Sequence, residues 1–168
     1  ELAARSFVVS SFGKTYHATG WKVGYCIAPP ALMQEFQKVH QFVQFVVATP
    51  LQAAIADFMR ECPEHARELP AFYQHKRDHF AGLLKGTRFR FEPAHSTYFQ
   101  LADYSAVSDL PDTAFAEWLT REIGVTPVPG SSFFSVKDPA RRLVRFAFCK
   151  REETLRAAAE RLARLGST

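Results

Sequence analysis

The chain has 168 residues, of which 47% are hydrophobic, and a formal net charge of +4 at pH 7, which suffices for one domain with a core or for a domain plus part of another. No apolar run approaches the ~20 residues of a membrane-spanning helix, and the basic residues are scattered, so we expect neither membrane insertion nor nucleic-acid binding. Three widely spaced cysteines without metal-ligand spacing, and an N-terminus that lacks the pattern of a signal peptide, predict a cytoplasmic location.

Two short apolar runs near the start of the chain, over residues 7–10 and 23–28, each predict a strand. The loop between them is rich in hydroxyl groups, glycine and lysine. Two prolines then break the chain, and apolar residues at helical spacing predict a helix over 31–42. A second helix is predicted from Pro50 to about residue 60.

The rest of the chain alternates between helical and extended patterns. Apolar positions at helical spacing predict a long helix over 63–86, which a glycine ends. Further strands are predicted at 88–91, 97–102, 125–128 and 143–148, and further helices at 113–123 and 151–165. This order predicts an α/β fold, with α+β as the alternative. A composition change near residues 60–65 predicts two units, 1–60 and 61–168, joined by the long helix.

The loop between the first two strands contains residues suited to an anionic ligand with a reactive carbonyl. The amine of Lys14 forms a Schiff base with a carbonyl if burial or a nearby positive charge, such as that of Lys22, lowers its pKa. The hydroxyl of Ser11 and nearby backbone N–H groups are suited to a phosphate. An ordinary surface lysine is the alternative for Lys14, and the spacing is not that of a nucleotide-binding P-loop.

The segment from Ser11 to Gly24 reads Ser-Phe-Gly-Lys-Thr-Tyr-His-Ala-Thr-Gly-Trp-Lys-Val-Gly. It resembles the lysine motif of pyridoxal-phosphate (PLP) aminotransferases of fold type I, class I/II, and within that group the methionine and kynurenine aminotransferases. Further stretches resemble landmarks of the family in the family's order, at residues 39–41, 49–54, 97–99 and 144–148. Several ordered motifs together make the resemblance specific.

The resemblance implies a role for each matching residue of the loop. Lys14 would form the Schiff base with PLP, and its freed amine would then move a proton between the substrate Cα and the cofactor. Ser11 and Lys22 would bind the cofactor phosphate. Many relatives have arginine at the position of Lys22, whereas the methionine and kynurenine subgroup has lysine.

An arginine near the end of the chain is implied to bind the substrate. Arg145 precedes a Phe-x-Phe pattern and would take the α-carboxylate, since a planar guanidinium forms a bidentate pair with a carboxylate. A surface arginine on a strand is the alternative for Arg145. Arg141 and Arg142 are nearby competitors for the same role.

Two sets of aromatic residues are predicted to contribute to the substrate pocket. The resemblance implies that Phe45 would enter the pocket of the neighbouring subunit, with core packing as the alternative. Tyr98, together with Phe133 and Phe134, would line an apolar pocket suited to methionine or aromatic side chains.

The resemblance also implies what the chain is part of. It would hold the last strands of the large domain and the complete small C-terminal domain of an aminotransferase. We therefore predict transamination between a methionine-, aromatic- or kynurenine-like amino acid and a 2-oxo acid, in a homodimeric parent protein, with this chain inactive alone. A cysteine-S-conjugate β-lyase and a non-catalytic binding or dimerisation domain are the alternatives. No metal site is predicted, because nothing near His75 and His79 supplies a third ligand.

Overall fold

The computed structural model of the chain describes residues 1–136, 138 and 141–166. Helices and short strands alternate along these ranges, in agreement with the α/β prediction. In this described part, no helix is both long enough and apolar enough to span a membrane.

The chain divides into two units, Glu1–Pro70 and Ala71–Thr168. The predicted boundary lies after residue 60, whereas the division lies inside the long helix. The last two residues of the predicted second unit, 167 and 168, lie outside the described residues. The assignment of the two units to a large and a small domain stays a prediction.

A two-stranded antiparallel sheet in the first unit flanks the lysine loop. Strand β1 (Val8–Ser11) pairs with β2 (Gly24–Ile27), and Ser11 lies opposite Gly24. Between the strands lie the four-residue helix α1 (Phe12–Thr15) and a 3-10 turn over Thr19–Trp21. A Cβ atom at position 24 would lie 2.5 Å from the Ser10 carbonyl oxygen, so only glycine allows the strands this approach.

Two helices follow in the first unit, and each has a proline in its first turn, where a missing N–H costs nothing. They are α2 (Pro30–Val43) and α3 (Thr49–Glu61). A third helix, α4 (His65–Leu84), contains Pro70, which removes one hydrogen bond from the helical ladder. All three correspond to helices predicted from the sequence.

The second unit contains a three-stranded antiparallel sheet with Arg145 on its central strand. The strands are β3 (Phe99–Asp103), β4 (Val128–Pro129) and β5 (Leu143–Ala147), in the order β3-β5-β4. Leu101 on β3 and Val128 on β4 both lie opposite Arg145. The helices are α5 (Asp112–Trp118), which continues as a π-helical turn over Leu119–Ile123, and α6 (Glu152–Ala163).

The strand predicted at 88–91 is wrong in extent, because only Arg90 pairs, in a single bridge with Asp103. The buried side chain of Gln100 replaces the missing ladder. Its amide nitrogen donates to the Glu92 carbonyl at 2.8 Å, and its amide oxygen accepts from the Ala94 N–H at 3.2 Å. The backbone therefore leaves the sheet after one bridge, and the Gln100 side chain satisfies two of the backbone groups that follow.

The core of the second unit determines which way Arg145 faces. It is formed by buried side chains from the helices, the sheet and the connecting segments, among them Phe80, Leu84, Phe89, Phe115, Leu119, Val144, Phe146, Phe148, Leu155 and Leu162. Val144 and Phe146 flank Arg145 on β5 and are both buried in this core. Because successive residues of a strand point to opposite faces, Arg145 lies on the face away from the core.

Candidate active site

The lysine-bearing helix α1 begins at a serine cap. The Oγ atom of Ser11 accepts a hydrogen bond from the Gly13 N–H at 3.0 Å, and the Phe12 N–H donates to the Val23 carbonyl at 3.1 Å. Gly13 is buried, and a Cβ atom there would lie 3.2 Å from both Ser11 Oγ and Thr19 Cα. Glycine therefore allows the cap to close, and the next residue, Lys14, is exposed to solvent.

Lys22 lies at the other end of the same loop. It follows the 3-10 turn and has a φ of 56°, in the left-handed region that a lysine rarely occupies. Since Val23 accepts from Phe12 and Gly24 pairs with Ser11, the backbones that carry Ser11 and Lys22 are adjacent. The structure thus brings the three predicted cofactor residues together on one strand-loop-strand segment.

The chemical groups on this segment fit PLP. Two exposed lysines, Lys14 and Lys22, provide one amine for an aldehyde and one cation for a phosphate. The hydroxyl of Ser11 accepts from a backbone N–H and retains its own proton for donation to an anion. A nucleophilic amine, a second cation and a hydroxyl are together what an aldehyde that carries a phosphate requires.

A histidine outside the predicted motifs supports the lysine helix. His65 Nε2 lies 2.8 Å from the carbonyl oxygen of Thr15, the residue after Lys14. Its ring stacks on Tyr16 at 5.6 Å and meets Phe58 edge-on at 5.4 Å. Fifty positions separate His65 from Thr15, so no local spacing in the sequence signals this contact.

Phe45 lies just beyond the end of α2, and its backbone is strained. It has a φ of 62°, its N–H donates to the His40 carbonyl at 3.0 Å, and 81% of its surface is exposed. Core packing, the alternative that the sequence left open, does not occur in the first unit. Entry into a neighbouring subunit's pocket stays a prediction.

Arg145 of the second unit lies against two aromatic rings. Its guanidinium carbon is 3.8 Å from the ring centroid of Phe99 and 4.2 Å from that of Phe133. Among the described residues, its Nε atom is buried without a hydrogen-bond partner. A cavity of about 810 Å³ adjoins it, lined in part by Arg145, Phe99, Phe133 and Phe134. Arg145 is therefore not an ordinary surface arginine.

The neighbouring arginines and Tyr98 are engaged elsewhere. Arg142 Nη1 forms an ion pair with Asp109 at 2.8 Å, and Arg141 lies 4.3 Å from the ring of Phe134. The ring of Tyr98 packs against Tyr73 and Phe99, at 5.8 and 4.5 Å, and Tyr98 is not among the residues that line the cavity. Its place in the substrate pocket stays a prediction.

His75 and His79, both on α4, have different surroundings. His75 Nε2 lies 3.5 Å from a Glu152 carboxylate oxygen, whereas His79 Nε2 is buried with no hydrogen-bond partner in the described part of the chain. Within that part, no three His, Cys, Asp or Glu side chains are placed to hold a metal ion.

Residues 2–162 match the family described as aminotransferase class I and II, and the chain therefore belongs to this family. Among curated proteins, the methionine aminotransferase of Escherichia coli (strain K12) is 52% identical over 165 residues, which are 98% of this chain and 42% of that protein. The kynurenine–oxoglutarate transaminase of Dictyostelium discoideum is 35% identical over 184 residues, which cover 96% of this chain and 42% of that protein.

Solved structures agree with this assignment. YbdL from Escherichia coli, described as having a methionine aminotransferase function, has a TM-score of 0.92 at 51% identity, over 97% of this chain and 43% of its own. N-succinyldiaminopimelate aminotransferase from Mycobacterium tuberculosis has a TM-score of 0.88 at 32% identity, over 98% of this chain and 43% of its own. The chain spans about 42% of the length of the curated relatives it matches. The predicted family and the predicted α/β part of a fold type I aminotransferase are confirmed.

Proposed function

We propose that the protein that carries this chain is a PLP-dependent aminotransferase, which transfers the amino group of a methionine-, aromatic- or kynurenine-like amino acid to a 2-oxo acid. The observation that carries the proposal is the placement of Ser11, Lys14 and Lys22 on one loop whose flanking strands pair, so that the backbones of Ser11 and Lys22 are adjacent. The names of the relatives, methionine aminotransferase and kynurenine–oxoglutarate transaminase, support the substrate class.

Each loop residue has a task that its chemistry permits. PLP, when bound, supplies an aldehyde and a ring that accepts the electron pair released from the substrate. Lys14 Nζ would hold the aldehyde end, and its freed amine would then take the proton from the substrate Cα as a general base and deliver it as a general acid to the former aldehyde carbon of the cofactor. Lys22 offers a point charge to the phosphate, and the Ser11 hydroxyl donates a hydrogen bond to it.

Arg145 is the proposed binding group for the substrate carboxylate. No Asp or Glu within the described ranges forms an ion pair with it. The guanidinium can therefore form charge-assisted hydrogen bonds with an incoming carboxylate. The aromatic rings beside it in the cavity are suited to an apolar or aromatic substrate side chain. Tyr98 is proposed to support this pocket from behind Phe99.

We further propose a cytoplasmic homodimer. The three cysteines are free, as in proteins of a reducing compartment. Phe42, Val43 and Phe45 expose 86, 79 and 81% of their surfaces, and contiguous exposed apolar residues of this size mark an interaction surface. Phe45 is proposed to reach the substrate pocket of the second subunit. Because the chain spans about 42% of its relatives' length, we expect it to be inactive by itself.

The proposal predicts that borohydride reduction fixes PLP to a single lysine, Lys14. The full-length protein is incubated with PLP, reduced with borohydride, and its peptides are mapped. We expect the label on Lys14, and we expect Lys14→Ala to lower kcat by a factor of at least about 10³, the scale on which loss of a central catalytic group acts. Lys38→Arg is the matched control, since Lys38 is an exposed lysine that pairs with Glu35 at 2.7 Å. A label spread over many lysines contradicts the assignment.

The assayed product separates the alternatives. Transfer of the amino group from methionine to a 2-oxo acid indicates an aminotransferase. Release of a thiol, ammonia and a 2-oxo acid from a cysteine S-conjugate, without an amino-group acceptor, indicates a β-lyase. Neither reaction, in a protein that carries no label after reduction, indicates a non-catalytic domain of the same fold.

A further inference from the structure

We propose that Phe99 and Phe133 are positioning residues for Arg145: the two rings hold its guanidinium by cation–π contacts so that its N–H groups remain available to an oxyanion in the cavity. The inference rests on the proposed function, in which Arg145 binds the substrate carboxylate. It assigns Phe99 and Phe133 a task distinct from contact with the substrate side chain.

The sheet brings the two rings to the arginine from different directions. Phe99 is on β3, two residues from Leu101, which lies opposite Arg145 on one side of β5. Phe133 ends a 3-10 turn, Gly130–Phe133, that follows β4, and β4 pairs with β5 on the other side. Both ring centroids lie about 4 Å from the guanidinium carbon, at 3.8 and 4.2 Å. These distances are well inside the ~6 Å limit for a cation–π contact.

The turn that carries Phe133 is fixed at two points. The Ser131 N–H donates to Asp112 Oδ2 at 2.6 Å, and Asp112 is a buried carboxylate with 9% of its surface exposed. At position 130, a Cβ atom would lie 2.7 Å from the Leu143 carbonyl oxygen, so the turn approaches β5 as closely as glycine permits. Phe133 therefore reaches Arg145 from a turn tied to α5 and β5, as a positioning residue requires.

The contrast with Arg142 shows what the rings provide. Arg142 Nη1 forms an ion pair with Asp109 at 2.8 Å, and Arg142 Nη2 donates to the Asp109 carbonyl at 3.4 Å. Asp109 therefore occupies both terminal nitrogens of the Arg142 guanidinium. No carboxylate within the described residues pairs with Arg145, and two ring faces lie against it instead. The quadrupole of an aromatic ring attracts a guanidinium cation without occupying the N–H donors of that cation. The rings thus stabilise the charge of Arg145 and leave its donors for a ligand carboxylate.

The test uses the full-length protein and two probes of similar shape, 3-phenylpropionate and 3-phenylpropanol, whose dissociation constants are measured by calorimetry. Only the first has a carboxylate, so the ratio of the two constants isolates carboxylate binding from contacts with the apolar body. We expect Phe99→Leu and Phe133→Leu each to reduce the preference for 3-phenylpropionate by about tenfold, which corresponds to one partly desolvated cation–π contact. Phe133→Tyr keeps an aromatic face and is expected to retain the preference.

Two controls separate positioning from a general structural effect. In an Arg145→Gln background, Phe133→Leu is expected to have no further effect on the ratio, because the two side chains act through one contact. Phe72→Leu is the matched control, since Phe72 is an exposed ring with Lys76 at 5.1 Å from its centroid, and it should leave the ratio unchanged. Circular dichroism checks that each variant is folded, and Phe133→Tyr remains informative if a leucine variant is not.

The outcomes distinguish this inference from the proposed function. If the unmodified protein does not prefer the carboxylate, the proposed role of Arg145 fails and this inference fails with it. If the preference exists and survives in both leucine variants, or if Phe133→Leu has the same effect without Arg145, only the positioning role of the rings is overturned.

Discussion

Four residues other than glycine have a positive φ, within the described part of the chain, and they lie in or next to the predicted motifs. They are His17, Lys22, Phe45 and Thr97, with φ values of 56°, 56°, 62° and 66°. Each costs on the order of 1–3 kcal/mol, and such strain collects at functional sites. Lys22 and Phe45 are predicted site residues, His17 lies three positions after Lys14, and Thr97 precedes Tyr98. The strain therefore coincides with the segments that the sequence singled out.

His65 gives a prediction at the scale of one residue. His65→Phe keeps a ring beside Tyr16 but removes the contact with the Thr15 carbonyl. We expect a loss of about 1 kcal/mol in the free energy of unfolding, because a half-buried carbonyl loses its partner. The measurement is the midpoint of urea unfolding of the full-length protein. His75→Phe is the control, since His75 is exposed; an equal loss in both variants contradicts the prediction.

The residues of the site differ in how far the sequence could predict them. Ser11, Lys14 and Lys22 share one short segment, so their order and spacing suffice. His65 and Phe99 act through contacts with residues distant in the chain, and the strand pairing that places Phe99 near Arg145 is a tertiary property. Their side chains have no chemistry that singles them out, so only the folded structure shows these contacts.

At the scale of elements, the long helices were predictable and the short pairings were not. The periodicity of apolar residues indicates α2, α4 and α6, because one face of each repeats at helical spacing, and Pro50 marks the start of α3. The segment 88–91 has the composition of a strand, yet the Gln100 side chain takes over the backbone groups that follow Arg90. A competing side-chain partner of this kind cannot be inferred from a local pattern.

The C-terminal end of α2 provides a prediction at this scale. Phe45 follows the helix in the left-handed conformation that usually belongs to glycine. We expect Phe45→Gly to be more stable than Phe45→Ala by about 1 kcal/mol, because only glycine adopts this φ without a Cβ clash. Thermal unfolding of both variants measures the difference, with Val43→Gly and Val43→Ala as the control pair inside the helix, where the order should reverse. Equal stability of the two Phe45 variants contradicts the prediction.

At the scale of the whole molecule, the two units contribute different parts of the proposed chemistry. The first unit carries Ser11, Lys14 and Lys22, and the second carries Arg145 and its cavity. The sequence predicted both sets through their separate motifs. Their joint action on one substrate stays a prediction, since the contacts described for each set of residues lie within its own unit.

A buried tyrosine in the core of the second unit lowers the stability of the folded protein at alkaline pH. Burial raises the pKa of Tyr104 to about 12 from 10.0, and the nearby carboxylate of Asp112 adds to the rise. Above pH 10 the unfolded chain loses the phenolic proton while the folded protein retains it. The folded state then binds more protons than the unfolded state, so stability is fully present below pH 10 and falls as the pH rises towards 12.

Tyr104→Phe tests this dependence. The variant loses the hydrogen bond from the phenol to the Leu110 carbonyl, 2.8 Å long, so at about pH 9 we expect it to be less stable than the unmodified protein. At about pH 11 the difference in the free energy of unfolding between the two proteins should shrink by about 1 kcal/mol. The unmodified protein loses stability there because Tyr104 stays protonated in the folded state and loses its proton in the unfolded state, whereas phenylalanine does not titrate. Unfolding midpoints of both proteins at the two pH values measure the change. Tyr25→Phe is the control, since Tyr25 is exposed. The linkage is contradicted if Tyr104→Phe differs in stability from the unmodified protein by the same amount at both pH values.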